Sequence, residues 1–143
     1  VISGNRGTGV VVSDPETSGV SVLGNLIGVA ADGVTPLGNE VGVRVTNGSS
    51  GNFIGFVDLD FAPLPNTISG NRGDGVVIDG DGTTGNVVGV NFIGTDPAGA
   101  VAVPNGGHGV LVGAGATGNF VGLSIEEGGK FFDAGNTISG NLG

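Results

Sequence analysis

The chain has no cysteine, methionine, tryptophan or tyrosine in 143 residues, a single histidine, and four basic side chains, Arg6, Arg44, Arg72 and Lys130. Without cysteine there is no disulfide and no thiolate metal site, and the redox compartment is not encoded. Thirteen acidic residues against those four basic ones give a net charge of −9. That charge repels phosphate backbones and anionic membrane surfaces, so nucleic acid is not an expected partner. No apolar run approaches the roughly 18 residues of a membrane span, and no stretch reads as a signal peptide. Lacking an initiator methionine, the sequence reads as a processed or excised piece.

What is abundant is glycine, 33 residues, together with Val and Ile. That mixture favours short strands joined by tight turns over helices. Glycine does not fall at every third position, which excludes collagen. A 38% hydrophobic content supplies enough apolar surface to drive burial, against disorder. The glycines also keep time. Gly9-Val10-Val11-Val12, Gly42-Val43-Arg44-Val45, Gly75-Val76-Val77-Ile78 and Gly109-Val110-Leu111-Val112 follow one another at steps of 33, 33 and 34 residues, the length of one unit in a stacked repeat protein.

Each beat contains two further apolar runs. The second lies at Val20–Leu23, Asn52–Gly55, Asn86–Gly89 and Asn119–Gly122, and the third at Asn25–Gly28, Asn66–Ser69, Asn91–Gly94 and Asn136–Ser139. Short, β-branched and bounded by Gly or Asn, these runs read as strands ending at corners. Long loops follow the third run at Val29–Val41 and Thr95–His108, or precede it at Phe56–Pro65 and Leu123–Gly135. Two coil types therefore alternate, and the repeat is doubled. Ile2–Gly7 matches Ile68–Gly73, and Thr137–Asn141 is a third copy. The expected organisation is one β-solenoid segment over 1–143, with modules 1–66 and 67–136 and the start of a further repeat at 137–143.

Three strands per turn predict an all-β fold, a right-handed parallel β-helix of about four coils whose rungs lie about 4.8 Å apart. Val10, Val43, Val76 and Val110 would then form an internal ladder. Asn52, Asn66, Asn86, Asn119 and Asn136 at strand starts, and Asn5, Asn25, Asn71, Asn91 and Asn141 in the third-strand motifs, read as stacked corner turns. Asn66–Asn71, Asn136–Asn141, Phe92–Asp96, Pro104–Val110 and Gly115–Asn119 resemble the repeats of large bacterial and archaeal cell-surface and secreted proteins with pectin-lyase-like β-helices. The resemblance implies that fold and an extracellular or cell-surface location. It does not imply one activity, because the architecture carries lyases, hydrolases, tailspikes, adhesins and passive stalks.

A polysaccharide lyase or hydrolase needs clustered carboxylates and cations to hold an anionic sugar. Arg6 and Arg72 are module equivalents at one corner, and Arg44 stands mid-strand with no acidic neighbour in sequence, so all three read as solvated cations. No catalytic residue is assigned and no enzyme activity is expected. His108 has no second His or Cys and reads as a corner residue. Asp79-Gly80-Asp81-Gly82 resembles the front of a calcium loop without its terminal Glu, which leaves Ca²⁺ as a weak possibility and no assigned metal ligand or cofactor. Asp58, Asp60, Glu126 and Glu127 read as loop-solubilising charge. An ice-binding plane fails, because only Thr67 and Thr137 recur on the third strand and Val1 stands at the equivalent place. Asn47-Gly48-Ser49 is a formal glycan-acceptor sequence. Phe56, Phe61, Phe131 and Phe132 lie on loops outside the expected core and form a candidate interaction stripe. The expected role is a rigid stalk, fibre or filament that self-associates end to end or laterally. A carbohydrate-binding adhesin or polysaccharide-active domain, with surface glycans as partners, is the alternative.

Overall fold

A computed structural model describes residues 1–55, 63–127 and 130–143, with backbone only for 125–127 and 130–132. Among the described residues the chain is all-β. The first runs form β1 (Val10–Ser13), β4 (Val43–Thr46), β7 (Val76–Asp79) and β10 (Val110–Gly113). The second runs form β2 (Ser21–Val22), β5 (Phe53–Ile54), β8 (Val87–Val88) and β11 (Phe120–Val121). The third form β3 (Leu26–Ile27), β6 (Thr67–Ile68), β9 (Phe92–Ile93) and β14 (Thr137–Ile138). Each class is one four-stranded sheet, in the orders β1-β4-β7-β10, β2-β5-β8-β11 and β3-β6-β9-β14, and the pairings are parallel. The fold is a β-solenoid. Four strands per sheet enclose about three turns from first rung to last, slightly fewer than the expected four coils.

The register follows the beat. Val10, Val43, Val76 and Val110 are successive partners in the first sheet, and Ile2, Ile27, Ile68, Ile93 and Ile138 are successive partners in the third. Alternation turns one side chain of each pair inward. Ile27, Val43, Val45, Ile54, Ile68, Val76, Ile78, Val88 and Ile93 are wholly buried in one core. Burying each contributes about 1.5–3 kcal/mol of transfer free energy. Within the two-residue strands the inward position belongs to Val22, Ile54 and Val88; Phe53 and Phe92 are only half-buried and Phe120 is exposed, so none of the three joins the core.

The recurring Gly of the Gly-Val beat has a steric cause. A Cβ on Gly42 would stand 2.5 Å from the Gly75 carbonyl oxygen and 2.9 Å from Asn71 Nδ2, and one on Gly75 would meet Gly109 O and Asn105 Nδ2 just as closely. Only Gly lets each coil settle onto the asparagine of the next.

Three of the long loops carry strand pairing of their own. Val29–Val41 and Thr95–His108 fold back through antiparallel bridges Val29↔Pro36 and Thr95↔Ala102. Within Leu123–Gly135, β12 (Ser124–Glu127) pairs antiparallel with β13 (Lys130–Asp133), strands not expected from sequence. Phe56 and Phe61 lie outside the described residues. Phe131 and Phe132 occupy β13, opposite Glu126 and Ile125 in register.

The corner after each first-sheet strand is left-handed. Asp14, Asn47, Gly80 and Ala114 all have positive φ there. Val90, between β8 and β9, also has φ 50°, where the equivalent residue of the first coil is Gly24 at φ 67°. Gly24 and Val90 donate their N–H groups to Leu64 O and Ala134 O respectively. A β-branched residue pays for this conformation in steric strain, about 1–2 kcal/mol. Val90→Gly should therefore raise stability by about 0.5–1 kcal/mol, net of the entropy glycine adds to the unfolded chain, read as an upward shift of the urea midpoint at unchanged m-value.

Candidate functional site

The dominant polar construction is a set of three asparagine ladders along the axis. One runs Asn5, Asn39, Asn71, Asn105, Asn141, with Nδ2 to Oδ1 distances of 2.8, 3.1, 2.9 and 2.9 Å. The second joins Asn52, Asn86 and Asn119, each step 2.9 Å. The third joins Asn25, Asn66, Asn91 and Asn136 at 3.3, 2.9 and 3.0 Å. The last ladder carries the doubled repeat openly, since its steps are 41, 25 and 45 residues while the second ladder keeps 34 and 33.

Every step follows one scheme. Each Oδ1 accepts both the backbone N–H and the Nδ2–H of the residue one coil earlier, as Asn105 Oδ1 does from Asn71. Where the second ladder begins, Val20 supplies only its backbone N–H, to Asn52 Oδ1. The remaining Nδ2 proton reaches back to a carbonyl of the preceding coil, as from Asn66 to Val22 O, Asn91 to Ile54 O and Asn105 to Ile68 O. One asparagine therefore staples three coils. Seven of them, Asn39, Asn52, Asn66, Asn71, Asn86, Asn91 and Asn105, are buried, and among the described residues no buried side-chain polar atom lacks a partner. In an interior of low dielectric such bonds are costly to leave unmade.

The sequence reading sorted these residues into two groups, whereas the structure sorts them into three and adds Asn39 and Asn105. Asn5, Asn71 and Asn105 each stand four residues before the beat glycine, but Asn39 stands three before Gly42. That slip hides the match. A gapped alignment on the glycine finds it.

Two of the three arginines are engaged rather than simply solvated, while Arg6 stays exposed as expected. Arg44 grips Asp79 from the adjacent strand with Nε at 3.2 Å and Nη2 on the second oxygen. Partial burial opposes ionisation of Asp79, but hydrogen bonds from Arg44 and the Thr46 hydroxyl, with the guanidinium charge, outweigh it and hold the carboxyl below its usual range. Arg72 donates to Gly38 O at 2.6 Å, to Asn5 O at 2.7 Å and more weakly to Glu40, crossing two coils with half of its side chain still exposed. Neither arginine is a free anion-binding group. His108 meets Asp74 through its backbone N–H at 2.7 Å and Nδ1 at 3.0 Å, one coil below, and both face solvent.

Two carboxylates shape the hairpin loops. Asp32 accepts the Thr35 hydroxyl and the Thr35 and Val34 N–H groups, which lower its pKa. Asp96 accepts the Val101 and Ala100 N–H groups, and these bonds, led by Val101, lower its pKa against the opposing effect of desolvation. Ala30 and Asp96 are equivalent, since their N–H groups bond Thr35 O and Val101 O. The first loop thus lacks an acid at that place and recruits Asp32, two residues on, for the same work.

Asp79 and Asp81, the front of the calcium-like stretch, do not converge. Asp79 is turned to Arg44, and Asp81 Oδ1 lies against Gly115, so close that no side chain fits there. Among the described residues no group of three or more His, Asp or Glu is placed to hold a metal ion. An open depression of about 210 Å³ is lined by Pro63, Pro65, Val90, Asn91, Phe92, Gly135 and Thr137. Of its two polar side chains, Asn91 and Thr137, the first spends its amide on the ladder. No described helix is long and apolar enough to cross a membrane. Compared with known proteins, the chain matches no family model, no curated protein and no solved structure.

Two measurements test this construction. Asn71→Ala leaves the Asn39 N–H and one Asn39 Nδ2 proton without their acceptor and should cost about 3 kcal/mol in urea unfolding, whereas Asn47→Ala, outside the ladders, should cost only about 1 kcal/mol, for the left-handed corner and the Asp14 bond. The three lowered carboxyls, Asp32, Asp79 and Asp96, stabilise the fold above their unfolded pKa, and that stability is lost as pH falls through their lower folded values. Thermal scans between neutral and strongly acidic pH should show the melting temperature falling below about pH 4, with a smaller fall in Asp79→Asn.

Proposed function

We propose that this chain is a structural segment of an extracellular or cell-surface β-solenoid of the pectin-lyase-like kind, a rigid stalk, fibre or filament that performs no chemistry. The observation that carries the reading is the threefold asparagine ladder. It ties each coil to the coils before and after with mostly buried bonds, so the axis resists bending and shear without help from the loops. The arginines add to the same stiffness, since Arg72 spans coils and Arg44 joins adjacent strands. Parallel sheets also offer their edge strands to a further coil of the same shape, which is how end-to-end stacking would proceed.

Polysaccharide binding is the second reading, and it draws on the apolar depression with Phe92 and the two prolines. Carbohydrate rings present C–H faces that suit such a surface. Electron microscopy of the purified chain separates the two: rods or filaments repeating every two rungs, about 9.6 Å, are expected. Compact monomers that bind glycans saturably would overturn the structural reading.

A further inference from the structure

The chain contains 13 asparagines. Twelve belong to the ladders, and the thirteenth, Asn47, does not. It is exposed, it sits at the left-handed corner after β4 with φ 56°, and its Nδ2 makes one hydrogen bond, to Asp14 Oδ1 at 2.6 Å. It is also the sole asparagine followed two residues later by Ser or Thr, here Ser49. On the opposite side the stacked corner residue of the next coil is Gly80, which has no side chain to crowd a substituent. The amide that leaves the ladders is the one that meets the acceptor rule.

We propose that Asn47 is a site of N-linked glycosylation, a proposal that rests on the extracellular reading. In the transfer the anomeric C1–O bond of a polyprenyl-diphosphate-linked oligosaccharide breaks, a C1–Nδ2 bond forms, the diphosphate leaves, and Nδ2 gives up one proton. The fold sets the order of events. Ser49, whose hydroxyl completes the acceptor sequence, is wholly buried and bonds Val12 O at 3.3 Å, so the acceptor is readable only before this coil closes. Once attached, the glycan projects from the corner, and the one proton left on Nδ2 is what remains to bond Asp14.

The test is secretion of the full chain through a eukaryotic host that N-glycosylates, which supplies the compartment and so separates failure of the site from failure of the localisation. Intact mass and glycosidase release should place one glycan on Asn47 in most molecules. Asn47→Gln and Ser49→Ala should abolish it, and Ser49→Thr should keep it, which distinguishes the hydroxyl from a folding defect. Purified folded chain given the transferase and lipid-linked donor should remain unmodified. Secreted, folded chain of unmodified mass, or a glycan that survives Asn47→Gln, overturns the proposal.

Discussion

The structure depends on one interaction, the side-chain amide that accepts twice through Oδ1 and donates twice through Nδ2. A coil of a parallel solenoid must turn sharply at each corner, and a corner is where backbone groups leave the sheet ladder and lose their partners. Asn answers this with a side chain of the same chemistry as the backbone. Asn105 Oδ1 takes the N–H and Nδ2–H of Asn71, while Asn105 Nδ2 holds Ile68 O. Gly42 and Gly75 are then obligatory, because any Cβ would occupy the space of the amide opposite. The Gly-Val beat and the Asn pattern are two sides of one contact.

The core follows from that contact. With the corners pinned, equivalent residues stack in register, and Val43 on Val76 or Ile68 on Ile93 closes a column that is aliphatic among the described residues. Insertions can then be absorbed at the loops without disturbing the column. The third ladder shows this, since its steps vary from 25 to 45 residues while the amide contacts stay near 3 Å. Length variation falls in the loops, while the amide contacts at the ladder corners keep their geometry.

The strand positions and their stacking were legible because both are local: a beat glycine, two or three β-branched residues, a bounding Gly or Asn. What runs across the coils was harder to read. Arg44 and Asp79 are separated by 35 residues, so the pair is invisible along the chain although the register nearly dictates it. Asn39 was hidden by a one-residue slip. The orientation of Phe53 and Phe120 could not follow from two-residue strands, in which either residue can face inward; a repeated aromatic at such a position resembles core until its neighbours Ile54 and Val121 are placed in register with Val88. The antiparallel pair β12 and β13 was missed because it obeys neither repeat.

The ladders have a direction. In all three, the earlier coil donates and the later coil accepts. A backbone sheet of parallel strands sends its N–H groups alternately up and down, so its dipoles largely cancel, but side-chain amides arranged this way do not. The solenoid is therefore polar along its axis in hydrogen-bonding sense as well as in chain direction. A coil laid after Asn119, Asn136 and Asn141 continues the scheme when it brings an acceptor oxygen to each corner, whichever chain supplies it. A coil laid before Asn5 and Asn25 must bring donors, while Val20, at the third corner, offers no side-chain oxygen to accept one. Two corner amides are thus complementary in one sense of stacking only: donor meets acceptor when the coils run the same way, and donor meets donor when one of them is reversed.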